Sequence, residues 1–148
     1  MINNPILKLW YKITNKYKYQ NYKHEQAKIS RIKHYNEKVY DNILNIQKKI
    51  ESKKELSFLH SGHTGDLIYS LAAIKELSKT HICKLYIEVN KEMTGFYGNH
   101  PSGKYFLDER IVKLLLPLVK SQKFLQTAQV YNNEDVDIDL NLFRDIPI

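Results

Sequence analysis

Apolar residues recur along this chain in helical and then in strand rhythm. Between residues 5 and 20, Ile6, Trp10, Ile13 and Tyr17 fall at helical spacing among Lys8, Lys12, Lys16 and Lys18. That spacing predicts a basic amphipathic helix. From Ile29 the steps alternate between three and four residues: Ile29, Ile32, Asn36, Val39, Ile43, Ile46, Ile50. This heptad seam, with Asn36 as its polar interruption, predicts one long helix over residues 22–52. Its apolar stripe either meets a partner or lies on the domain that follows.

After Lys53-Lys54-Glu55 the rhythm changes. Leu56–His60 reads as a short buried strand, and a helix follows from about Asp66 to Lys79 with Leu67, Leu71, Ile74 and Leu77 on one face. Residues 81–89 alternate around Ile82, Leu85, Ile87 and Val89 and predict a second strand. Strand, helix and strand make a β-α-β unit, whose crossover should be right-handed. Residues 90–107 read as a long loop with Gly95, Gly98, Pro101 and Gly103. Asp108 opens another helix, which Pro117 should break or kink unless it begins a new turn. Phe124–Tyr131 is a third strand, and the three strands should be parallel in a three-layer α/β unit. In the tail, Glu134, Asp135, Asp137 and Asp139 alternate with apolar residues and read as a solvated edge; they lack the glycine and closing glutamate of a calcium loop.

Charge sharpens the division. Residues 1–55 carry 13 Lys/Arg against 5 Asp/Glu, whereas residues 56–148 carry 10 against 11. The expected organisation is therefore a basic helical extension, 1–55, and an α/β domain, 56–148. A basic amphipathic segment with a Trp can lie on an anionic membrane surface; a solvated or docking helix is the alternative for residues 5–20. Positive charge also attracts phosphate backbones, but no nucleic-acid signature accompanies it, and nucleic acid is not the expected partner. The lone Cys83 sits inside a predicted strand, so no intrachain disulfide or thiolate cluster forms. No apolar run reaches the roughly 20 residues of a membrane span. The expected setting is a reducing, cytoplasmic one, peripheral to the inner membrane surface if residues 5–20 bind lipid.

The candidate chemistry lies at the first strand–helix junction, His60-Ser61-Gly62-His63-Thr64-Gly65-Asp66. In open α/β folds such a junction lies at the carboxyl end of a strand, where ligands bind. The two glycines allow a tight turn and close approach of backbone to ligand. His60 stands where the first glycine of a dinucleotide fingerprint belongs, and the Gly-Lys-Ser/Thr ending of a phosphate-binding loop is missing. Asp66 is either a helix cap or a base. His60 and His63 can bind a phosphate or orient Asp66, but no third ligand stands at metal-site spacing. No metal or cofactor is expected. Arg144 can pair with an anionic acceptor or serve as surface charge.

The run Gly65-Asp66-Leu67-Ile68-Tyr69-Ser70-Leu71-Ala72-Ala73-Ile74 resembles the start of the N-terminal domain of heptosyltransferase-type glycosyltransferases. Leu115-Leu116-Pro117-Leu118 and residues 137–144 look like pieces of related glycosyltransferase-like proteins. The resemblance covers residues 56–148 and is carried mainly by the first 20. It implies a partial Rossmann-like parallel sheet, the acceptor-side half of a two-domain GT-B enzyme, truncated before the donor-binding domain. It also implies transfer of a sugar from a nucleotide-sugar donor to a glycan or lipid-linked acceptor, with Asp66 as base. His60, Ser61, Gly62, His63, Thr64 and Gly65 would line the substrate site, and a second, donor-binding domain would be a partner. The competing expectation is a non-catalytic binding or assembly module that recruits a partner through the N-terminal helix.

Overall fold

The computed structural model describes residues 4–93 and 103–145, except the side chains of Lys38 and 143–145. The chain divides into two compact units, residues 4–43 with 144–145, and Leu44–Phe143. The division falls earlier than the 55/56 boundary read from charge. Its physical reason is that Ile46 and Ile50 pack against the α/β core, so the end of the heptad helix belongs to that core.

In the first unit, α1 (Pro5–Thr14) and α2 (Lys16–His34) form a helical hairpin that turns on Asn15. Asn4 caps α1, its Oδ1 accepting from Ile6 N at 3.0 Å and Leu7 N at 3.2 Å, with Pro5 at the first helical position. Asn15 caps α2 through Lys18 N at 3.0 Å. The hairpin is held by Tyr22, whose hydroxyl accepts from Asn4 N at 3.0 Å and whose ring meets Tyr11 edge-on at 6.2 Å.

The long helix expected over 22–52 is not uniform. It is α2, then a π-helical turn at Tyr35–Val39, then α3 (Tyr40–Ser52). The wider π turn takes up extra residues and breaks the heptad phase. The seam is thereby split in use: Ile29 and Ile32 stay exposed, while Ile46 and Ile50 are covered by the α/β core.

In the second unit, β1 (Glu55–His60), α4 (Thr64–Leu77), β2 (Ile82–Ile87), α5 (Glu109–Lys120), β3 (Thr127–Val130) and β4 (Ile138–Asp139) follow one another. The sheet has order β3-β2-β1-β4, and every pair is parallel. Parallel pairing of the expected strands is thus observed, and β4, read as part of a solvated edge, is an addition. Register places Leu56, Phe58 and His60 beside Cys83, Leu85 and Ile87 on one buried face. Leu67 and Ile74 of α4 and Val112 and Val119 of α5 close that core. Full burial of each such Leu, Ile or Phe contributes about 1.5–3 kcal/mol relative to exposure.

The opposite face does not carry the expected third layer among the described residues. Ser57, Lys84, Tyr86 and Gln129 lie on that face by register. The β3–β4 connection crosses it as an extended segment: Gln129 Nε2 donates to Glu134 at 2.8 Å, and Ser57 Oγ lies 3.2 Å from Asp135 O. The direction of the crossing has a cause. The steps β1→β2 and β2→β3 move one way along the sheet and β3→β4 moves back, so a right-handed crossover must pass on the other face.

The tail acids are the largest departure from expectation. Asp137 is not solvated: its side chain is 7% exposed and ion-paired with Lys53. Its Oδ2 accepts from Ser57 N at 3.1 Å and lies 3.0 Å from Ser57 Oγ. Asp137 N in turn donates to Ser57 O at 3.0 Å. Helix α5 also departs from expectation. Asp108 caps it through Ile111 N at 2.7 Å, as expected, but the helix runs past Pro117 to Lys120. Proline there removes only the donor to the Lys113 carbonyl, and both residues are exposed, so water can replace it.

Candidate functional site

The strand order turns at β1. Chain connections run outward from β1 through β2 to β3, then return to its other side at β4. A crevice outside the carboxyl ends of β1 and β4 is the switch point where open α/β sheets bind ligands. The residues singled out from sequence begin there, since His60 is the last residue of β1 and α4 starts at Thr64.

Ser61 is 2% exposed, yet its hydroxyl is the hub of a polar cluster. Lys91 Nζ donates to Ser61 Oγ at 2.8 Å, and Asn141 Nδ2 donates to it at 2.7 Å. With both lone pairs engaged, the hydroxyl can act toward a ligand only as a donor. Lys91 is also ion-paired with Glu88 at 3.1 Å. Asn141 is fixed by Asp139, whose Oδ1 takes its N–H at 2.9 Å and its Nδ2 at 2.6 Å. Asn141 Oδ1 is buried and has no hydrogen-bond partner among the described residues. A buried acceptor of this kind calls for a donor from water or ligand.

The β2 end bends into this cluster through Asn90, which takes a left-handed backbone with φ 59°. Residues 90–93 then pair with 104–107: Asn90 N donates to Leu107 O at 2.8 Å, and Phe106 N to Lys91 O at 3.0 Å. This brings Phe106 against His63, ring to ring at 4.9 Å and edge-on. The ends of the expected loop 90–107 therefore lie over the Gly62–Gly65 segment. Gly95, Gly98 and Pro101 lie outside the described residues, as does the Arg144 side chain.

The role of Asp66 in the helix differs from that of an N-cap. Helix α4 begins at Thr64 with His63 as its cap residue, so Asp66 is the third helical residue. Its Oδ2 accepts from His63 N at 3.2 Å, the return half of a capping box. The carboxylate is half-buried at the mouth of the first turn. His60 Nε2 lies 3.2 Å from the His63 carbonyl. Neither Gly62 nor Gly65 adopts a left-handed backbone. Among the described residues no group of three His, Cys, Asp or Glu side chains could hold a metal ion.

Two other hollows lie at the ends of the sheet. One of about 450 Å³ at the amino edge of the sheet is lined by Lys53, Glu55, Lys84 and Asp137, charges already paired with one another. The other, about 410 Å³, lies beside the carboxyl edge among Val89, Asn90, Val112, Leu116 and Val130. Its apolar lining suits a nonpolar group flanking the polar cluster.

Lys91, Glu88, Phe106, Asp139 and Asn141 went unnoticed as site residues in the sequence. No local spacing links positions 61, 91 and 141; only the strand order brings them together. A comparison with family models, with characterised proteins and with solved structures finds no match to this chain.

Proposed function

We propose that this chain is the acceptor-side α/β half of a sugar-transferring enzyme, with Asp66 as the base toward the acceptor hydroxyl. The observation that carries the reading is the convergence, at the β1/β4 switch point, of the Gly65-Asp66 junction with the Ser61–Lys91–Asn141 cluster. A sugar hydroxyl is a poor nucleophile until a positioned carboxylate takes its proton. In the proposed step the acceptor oxygen bonds to the anomeric carbon of the nucleotide sugar, the nucleoside diphosphate leaves, and the proton goes to Asp66. The Ser61 hydroxyl and the Lys91 ammonium donate to the acceptor's oxygens, and Asn141 Oδ1 accepts a hydrogen bond from one of its hydroxyls.

The test uses the chain together with a donor-binding domain, nucleotide sugars, and a panel of free and lipid-linked glycans. The wild-type chain is expected to capture a glycan and, with the donor domain, to glycosylate it. Asp66→Asn should retain capture while transfer falls by about 10²–10⁴-fold. Full transfer by Asp66→Asn would overturn the base, and absence of glycan capture by the wild type would overturn the acceptor reading.

One observation favours assembly as a second reading: Ile29 and Ile32 remain exposed on α2. Sedimentation of the full chain, with Ile29→Ser and Ile32→Ser as controls, tests it.

A further inference from the structure

Helix α1 has two apolar faces, and only one is used. Tyr11 and Leu7 face the hairpin partner side and are half-buried, with Tyr11 against Tyr22. On the other side Ile6 is 79% exposed, Leu9 58%, Trp10 55% and Ile13 76%. At 100° per residue these four side chains fall within a stripe about 100° wide. Four contiguous large apolar side chains at that exposure mark an interaction surface rather than scattered surface residues.

The surroundings of the stripe decide its occupant. Lys8 and Lys12 on α1, and Lys16 and Lys18 at the start of α2, are all exposed, and α1 holds no acidic residue. Residues 1–43 carry nine Lys/Arg against three Asp/Glu. A protein groove would have to offer both an apolar floor and acidic walls, whereas an anionic bilayer offers both everywhere on its surface. Trp10 sits mid-stripe, and its indole suits the headgroup boundary. At ten residues α1 is about 15 Å long, too short to span a bilayer and too short for a coiled-coil seam. It is nevertheless a formed helix, since Asn4, Pro5 and Tyr22 fix its start and its packed side. Little ordering cost therefore remains for binding.

We infer that α1 lies in the plane of an anionic lipid surface, with Ile6, Leu9, Trp10 and Ile13 inserted at the headgroup boundary and the surrounding lysines on lipid phosphates and carboxylates. This inference is independent of the sugar-transfer reading, for it concerns a different unit of the chain.

Trp10 is the only tryptophan, so its fluorescence reports this surface alone. The experiment titrates the full chain with vesicles of phosphatidylcholine, or of phosphatidylcholine with about 30% phosphatidylserine. The expected result is a blue shift of Trp10 emission and protection from acrylamide on anionic vesicles. Partitioning should be about tenfold or more tighter than on neutral vesicles, and salt should weaken it. Ile6→Ser with Leu9→Ser and Ile13→Ser should abolish the shift. Lys8→Gln with Lys12→Gln should weaken binding to anionic vesicles only, and it decides the matter if the first variant loses its circular dichroism. No shift on either vesicle overturns the inference, as does equal binding to both. A concentration-dependent shift without lipid assigns the stripe to a second copy and overturns it too.

Discussion

A methyl group placed on Gly65 would meet no atom within 4 Å, and the residue's backbone is not left-handed. Nothing in the fold therefore requires glycine there. Gly65→Ala should raise stability by about 0.5–1 kcal/mol, because alanine suits a helix better and restricts the unfolded chain. If glycine is there to let a ligand approach, the same variant should weaken glycan capture. Urea denaturation and a binding assay on one sample separate the two. Asp66→Asn keeps an oxygen for His63 N and loses only the charge near the helix start, so its stability should fall by less than about 1 kcal/mol. The junction was readable in sequence because its residues are contiguous. The apolar pattern opens the helix near Asp66, whereas His63 has the extended backbone of a cap residue and helix geometry starts directly after it. Lys91 and Asn141 were not readable, since their relevance depends on contacts made 30 and 80 positions away in sequence.

Elements were legible where their apolar rhythm was strong. Strands β1 and β2 fall where the alternation puts them, and α4 and α5 follow their apolar faces. The π turn at residues 35–39 was hidden, because the heptad steps continue through it unchanged in the sequence. Strand β4 was hidden for another reason, being only two residues long with acids on either side of Ile138. Its docking depends on Asp137. Burial pushes that carboxyl up, but hydrogen bonds from Lys53 and Ser57 outweigh burial and hold it below the usual carboxylate range. A depressed folded value means that the stabilisation is fully present above the unfolded value of about 3.9 and is lost as pH falls through the folded one. The urea midpoint should thus owe nothing to Asp137 titration between about pH 5 and 7, and should decline below about pH 4. Asp137→Asn should be about 1–3 kcal/mol less stable at neutral pH and show a shallower acid decline. An acid limb unchanged by the substitution would show that other carboxylates govern it.

At the scale of the whole chain, the charge pattern divides at 55/56, while the compact units divide between Ile43 and Leu44. Lys48 and Lys49 lie on a helix whose apolar side belongs to the α/β core, and Lys53 and Lys54 follow directly after it. The single buried thiol serves as a probe of that unit. Cys83 is 1% exposed, and burial pushes its thiol up, so an aromatic disulfide reagent should label it only through opening of the core. Its labelling rate should rise with urea in step with unfolding. Rapid labelling in native buffer would mean that β2 opens locally.

The β3–β4 connection places the last strand beside the first, Ile138 next to Phe58. Pairs close in sequence form early, and those that close long loops form late. The β1–β2 register, bridged by one helix, belongs to the early set, while β4 has to close a loop of about 80 residues before Asn141 can reach Ser61. Assembly of the crevice is then expected late in folding. A chain still emerging or half-folded would carry its glycine–aspartate junction without a complete site around it. In a chevron, Asp137→Asn should steepen neither arm and should quicken unfolding while leaving the folding rate nearly unchanged. The proposed site would in that sense pass a kinetic checkpoint, complete only when β4 has docked beside β1.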